Sequence, residues 1–213
     1  MKQNQYTANS QQTRERLLVS AKRIFARKGY EGASIANIAD ELGITKQALL
    51  YHFGSKGKLY GEIIKQINAR LFEEIEQTKQ ESYEPALRLE HFVMRYFAYA
   101  MANPDEMSLL MREALGNRAR AEHARNWPLK LFFDEMIALV KSNPEVADAS
   151  DPVVFAFIYQ VLSGILVFAV SPPSLTAMYG EKDFQITRDQ FPLELQNHIR
   201  WFLKAAAENA KRE

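Results

Sequence analysis

Apolar residues recur every three to four positions along most of the chain, and the interruptions between them divide it into helices. Leu17, Leu18, Ala21, Ile24 and Phe25 share one face, predicting a helix over residues 13–28 that Arg27-Lys28-Gly29 ends. After a Tyr30–Ala33 loop, Ser34 can cap a second helix whose inward face is Ile35, Ile38, Ala39 and Leu42. A third helix is predicted over residues 45–53 and a fourth from the Ser55 cap to about residue 81, with Leu59, Tyr60, Ile63, Ile67, Leu71 and Ile75 along it. Pro85 suits the first turn of a fifth helix, to about residue 102. Further helices are expected at residues 107–115 and 119–141, the latter kinked or restarted at Pro128. Asp151-Pro152 reads as a cap and first turn, opening a helix that Ser171-Pro172-Pro173 stops. Residues 174–190 read as irregular, and the last helix as residues 192–210. No strand alternation runs longer than a few residues, so the chain is all-α.

Within this pattern, residues 39–53 have the spacing of a helix-turn-helix. Ala39 is small enough for two helices to cross closely. Gly43 can take the left-handed conformation a short turn needs, and Leu49 packs the second helix onto the first. With Thr45 as cap, the outward residues are Lys46, Gln47, Leu50 and Tyr51, a set suited to phosphates and base edges in a major groove. Charge agrees. The chain of 213 residues has net charge +1, but residues 1–60 hold ten Lys and Arg against four Asp and Glu, a net +6, and the rest hold 17 against 22, a net −5. A basic N-terminal part on a mildly acidic body fits a polyanion partner for the first part alone. Lys56 and Lys58 open the fourth helix, where free backbone N–H groups already favour phosphate.

The stretch 152–170 has no charged residue and approaches the ~20 residues of a membrane span. Tyr159, Gln160, Ser163 and Gly164 interrupt it and no Lys/Arg cluster follows, so a buried helix of a soluble protein is expected, with no membrane partner. The polar N-terminus lacks the apolar core of a signal peptide, and cysteine is absent, so a reducing, cytoplasmic setting is expected. His52, His91, His123 and His198 have no metal-ligand spacing, and no phosphate loop or Gly-x-Ser-x-Gly occurs. Neither an enzyme, a metal nor a cofactor is expected.

Residues 13–60 resemble the TetR family of bacterial transcriptional regulators. The likeness rests on Phe25, Lys28-Gly29-Tyr30-Glu31-Gly32, Ser34-Ile35-Ala36-Asn37-Ile38-Ala39, Gly43-Ile44-Thr45, Leu49, Tyr51-His52-Phe53-Gly54-Ser55-Lys56 and Leu59, in order. The resemblance implies two domains, a three-helix DNA-binding domain over residues 1–56 and a larger helical effector-binding and dimerisation domain over 57–213. It implies Lys46 and Gln47 as base readers, Tyr51 and His52 as groove or backbone contacts, Lys56 as a phosphate contact, Ser34 and Thr45 as caps near phosphates, and Ala36 at the groove. Two positions depart from the family: Leu50 stands where Tyr is frequent, and Gly57 where Glu is usual.

Aromatic and methionine side chains exceed what one helix face needs in the body, and Phe97, Met101, Met111, Trp127 and Phe132 are the candidates for an apolar or amphipathic effector pocket. Ala156, Gln160, Ser163, Gly164 and Val167, with Leu195, Ile199 and Phe202 on the last helix, are the candidate interface of a homodimer packed as a four-helix bundle. The expected function is a ligand-responsive regulator, most simply a repressor on a palindromic operator; an activator of the same fold, or a helical ligand-binding protein that leaves DNA alone, are the alternatives.

Overall fold

The computed structural model describes residues 2–81, 84–115 and 128–210, and among them no strand occurs. Helix α1 runs Lys2–Gly32, its last turn broken at Gly29, where φ is 73°. The helix therefore begins well before residue 13. The stretch before residue 13 carries no apolar periodicity, which is why pattern alone missed it, but no Gly or Pro interrupts it either. Helices α2 (Ile35–Glu41) and α3 (Lys46–Phe53) are short, of seven and eight residues. Each is closed by its cap: Ser34 Oγ accepts from Asn37 N at 3.0 Å, and Thr45 Oγ1 from Ala48 N at 3.1 Å. Gly43 makes the turn between them at φ 65°, and Ile44 N–H bonds back to the Ala39 carbonyl at 3.0 Å.

Helix α4 (Lys56–Gln80) starts at the Ser55 cap, which accepts from Lys58 N at 3.2 Å. Its first turns complete the N-terminal core. Leu59, Tyr60 and Ile63 are buried with Ile24, Phe25, Ile38, Ala39 and Leu49. The Tyr60 ring meets Phe25 and Tyr30 edge-on, both at 5.0 Å between centroids. Its later turns bury Ile67, Leu71 and Ile75 in the body.

The body comprises α5 (Pro85–Ala102), α6 (Pro104–Leu115), α7 (Pro128–Lys141) and α8 (Asp151–Val170), followed by α9 (Pro172–Tyr179) and α10 (Glu181–Ala210). The part of the predicted 119–141 helix before Pro128 lies outside the described residues. Ser150, not Asp151, occupies the cap position of α8 and makes no side-chain cap bond; Asp151 stands in the first turn and pairs with Lys141 at 2.7 Å. The expected loop at 174–190 is helix. Pro172 and Pro173 stop α8 but fit the first turn of α9, and the break falls at Gly180, where φ is 82°. Pro192 does not begin the last helix; it lies inside α10, which loses one backbone hydrogen bond there. Among the described residues α8 is the one helix long and apolar enough to cross a membrane. It is packed against α5, α6 and α7 and buries Val154, Phe157, Ile158, Val161, Leu162 and Ile165 within the chain.

Candidate nucleic-acid interface and effector cavity

Leu49 and Phe53 hold α3 to the core, which turns Lys46, Gln47 and Tyr51 to solvent, Tyr51 at 87% exposure. Leu50 and His52 are half-buried on the flanks, and the His52 ring lies between those of Tyr51 and Phe53 at 5.6 and 6.2 Å. Ser34 and Ala36 are exposed at the start of α2, and Thr45 at the start of α3. The cap hydroxyl oxygens accept from the backbone and keep their own O–H to donate. This face carries two short capped helices, an amide, a phenol and a lysine, and no acidic side chain on α3.

Lys56 is placed differently from its neighbours. Its Nζ donates to the Tyr30 carbonyl at 2.9 Å and sits 4.1 Å over the Tyr30 ring. That ammonium ties α4 to the end of α1 before it meets anything else. Several other cations of the N-terminal module are also engaged: Arg14 with Glu62, Arg27 and Lys28 with Glu41, Lys22 with Glu106. The hydrogen bond from Arg27 is the main cause holding the Glu41 carboxyl below its ordinary range. Among the described residues Arg16, Arg23, Lys46 and Lys58 are exposed with no acidic partner, so the module's electropositive surface rests on them.

In the body, α4, α5, α6, α7 and α8 enclose a cavity of about 330 Å³. Leu71, Tyr96, Met111, Phe132, Phe133 and Leu162 form much of its apolar wall; Asn68, Glu113 and Ser163 are its polar points. Of the expected pocket residues, Met111 and Phe132 line it. Phe97 does not: its ring stacks with Phe168 and Phe191 at 6.3 and 5.7 Å. Met101 packs half-buried against the core away from the lining, and Trp127 lies outside the described residues. Burial pushes the Tyr96 phenol well above its usual range, so it remains a neutral donor, directed at Met107 Sδ at 3.7 Å. Sequence reasoning assigned Ser163 and Val167 to the dimer face only, whereas both also line the cavity.

A second, more open concavity of about 850 Å³ lies between the Lys28–Gly32 turn and α6. Met111, Glu113 and Leu115 line both. The buried Glu113 carboxylate accepts from the Tyr60 hydroxyl at 2.8 Å, so one hydrogen bond joins the cavity wall to the aromatic cluster of the module.

The dimer candidates divide. On α8, Ala156, Gln160, Gly164 and Val167 are exposed and Ser163 half-buried. On α10 the expected stripe faces inward. Leu195 is 7% and Ile199 0% exposed, and Phe202 stacks on Phe157 at 3.8 Å, so these residues are spent on the chain's own core. Glu194, His198, Trp201 and Ala205 are among the residues that α10 exposes instead, with Trp201 80% exposed. The apolar stripe signalled burial correctly but could not say which body it faces.

A three-helix module on a larger helical body with an apolar cavity is the architecture of a helix-turn-helix transcriptional regulator. The model of bacterial regulatory proteins of the tetR family matches residues 17–63. The chain is 22% identical over 160 residues to the HTH-type transcriptional repressor NicS of Pseudomonas putida, covering 73% of this chain and 74% of NicS. It is 34% identical over 65 residues to the repressor AcnR of Corynebacterium efficiens, covering 30% of this chain and 35% of AcnR. Its fold matches that of the ketosteroid transcriptional regulator KstR2 of Mycobacterium tuberculosis with a TM-score of 0.61 at 18% identity, over 82% of this chain and 92% of that one. The tetR-family match thus covers the N-terminal module, residues 17–63, and the likeness of the body to the solved regulator is one of fold.

Proposed function

We propose that the protein is a cytoplasmic, homodimeric repressor that binds a palindromic operator and is released by a small apolar or amphipathic effector. The observation that carries this is the exposed α3 face, Lys46, Gln47 and Tyr51, held outward by a buried Leu49 and Phe53. Lysine can meet guanine O6 or N7 and glutamine can meet adenine N6 and N7. Two such faces related by a two-fold axis meet half-sites about one helical turn apart or a multiple of that. The exposed α8 face, with Gly164 open enough that an added Cβ meets nothing within 4 Å, supports close packing of a second copy there. The cavity of about 330 Å³ is of the size and apolar character of small-ligand sites. An effector lowers operator affinity by its differential affinity for the two arrangements of the reading modules.

Selection of bound DNA from a random duplex pool, at two salt concentrations, tests this. A recovered palindrome whose affinity falls steeply with salt is the expected result. No enrichment at either salt would reject operator binding by the effector-free protein.

A further inference from the structure

We infer that the Lys22–Glu106 ion pair is a strut that sets the spacing at which the two reading modules meet DNA; this rests on the operator-binding dimer proposed above. Glu106 is a carboxylate only 1% exposed, at the start of α6, where four helices converge. Arg70 of α4 reaches it at 2.7 Å and the Tyr99 hydroxyl of α5 donates to it, so the body fixes its position. Burial works against the Arg70 charge, yet Glu106, with the hydrogen bonds around it, raises that guanidinium above its usual range. Lys22 of α1 also donates to this carboxylate and is itself largely shielded, with 17% of its side chain exposed. It is the one member of the cluster that belongs to the reading module.

A single contact would leave α1 free to swivel about it, but α6 meets α1 a second time. The Arg112 guanidinium lies 3.1 Å from where a Cβ at Gly29 would stand. Lys22 and Gly29 are seven residues apart on α1, and Glu106 and Arg112 six apart on α6, so the pairs span about 10.5 and about 9 Å at 1.5 Å per residue. The two helices run side by side in the same sense, touching near both points. Two contacts that far apart fix a direction as well as a position. Because α1 carries the core on which α2 and α3 rest, its direction relative to the body is the direction of α3. In a dimer, the body-to-module angle in each copy then fixes the distance between the two α3 helices.

The test uses Lys22→Met, which removes the module's end of the strut while Arg70 and Tyr99 still hold Glu106. Lys22→Arg is the conservative restoration. Each full-length protein is titrated against the duplex recovered by selection with the wild type, and against the same duplex with one base pair added or removed at its centre. One base pair shifts the half-sites by about 3.4 Å along the axis and about 35° around it. The wild type should discriminate against the altered spacings by tenfold or more. Lys22→Met should lose most of that discrimination while keeping a cooperative thermal transition, and Lys22→Arg should regain it. If Lys22→Met weakens all three duplexes by one common factor, or leaves all three unchanged, the strut does not set spacing and the inference is overturned. If the wild type selects no duplex at all, the operator-binding reading fails first and takes the strut with it.

Discussion

Two roles meet at Lys56, the phosphate contact that the resemblance implies and the anchor that its contacts with Tyr30 support. As a phosphate contact, its loss would weaken DNA binding and flatten the salt dependence by about one. As an anchor, its loss would weaken the fold. The ammonium donates to the Tyr30 carbonyl at 2.9 Å and sits 4.1 Å above the ring. A hydrogen bond from a charged donor contributes about 1.5–3 kcal/mol, and a cation–π contact about 0.5–1 kcal/mol where partly exposed. One ammonium makes both contacts and is half-buried, so they do not add in full. Lys56→Met, which keeps most of the aliphatic stem, should therefore cost about 1.5–2 kcal/mol, near the low end of the combined range. In a chain of this size that lowers Tm by roughly 3–8 °C. Thermal unfolding gives the first number, and operator titration over a salt series gives the second. The expected pattern is a clear drop in Tm with the salt slope nearly unchanged. An unchanged Tm together with a slope flattened by one would refute the anchoring argument and return Lys56 to the phosphate backbone.

Lys46→Ala and Gln47→Ala should each cost about 1–3 kcal/mol of operator affinity and relax preference at one or two base positions, read by repeating the selection with each variant; an identical recovered sequence would remove them as base readers. Phe132→Ala opens the cavity wall at a residue 4% exposed, and should lower stability by about 3 kcal/mol and change the affinity of a neutral apolar dye; a variant with wild-type stability and dye binding would mean that Phe132 does not bound a ligand space. Gly164→Arg, on the exposed face of α8, should convert a dimer to a monomer in sedimentation while leaving helix content intact, and a persistent dimer would locate the interface elsewhere.

The N-terminal module was legible because its constraints are local. A cap, a left-handed glycine and a small crossing residue each act within a few positions, and Ser34, Thr45, Ser55, Gly43 and Ala39 occur in the structure in those roles. The body was legible in element count but less so in partners. Phe97 and Phe132 look alike in sequence, yet one joins the stack with Phe168 and Phe191 and the other bounds the cavity, because that choice depends on which helices neighbour α5 and α7. The same applies to Ile199 and Trp201, two residues apart on α10, where the apolar stripe expected to face a partner lies in the chain's own core and the tryptophan is exposed. Pro192 misled because proline marks a first turn more often than an interior, and the helix preceding it has too little apolar periodicity to signal itself. The Glu106 cluster was invisible because its four members come from four helices spread over 85 residues of sequence.

The first turns of α4 have a bearing on how such a reading module could be exchanged between proteins. Helices of seven and eight residues do not persist alone in water. What keeps α2 and α3 formed is the shared interior, to which α4 contributes Leu59, Tyr60 and Ile63. A chimera joined after residue 56 would divide that interior between two parents and leave Phe25 and Tyr30 facing foreign side chains. A joint placed beyond Ile63 would move the whole interior as a unit, but it would also carry the Tyr60 hydroxyl away from its Glu113 acceptor. The portable piece is therefore not the one that meets DNA. It is that piece plus two turns of the next helix, and a recipient must offer Tyr60 an acceptor at the height of Glu113 for the graft to keep its link to the cavity.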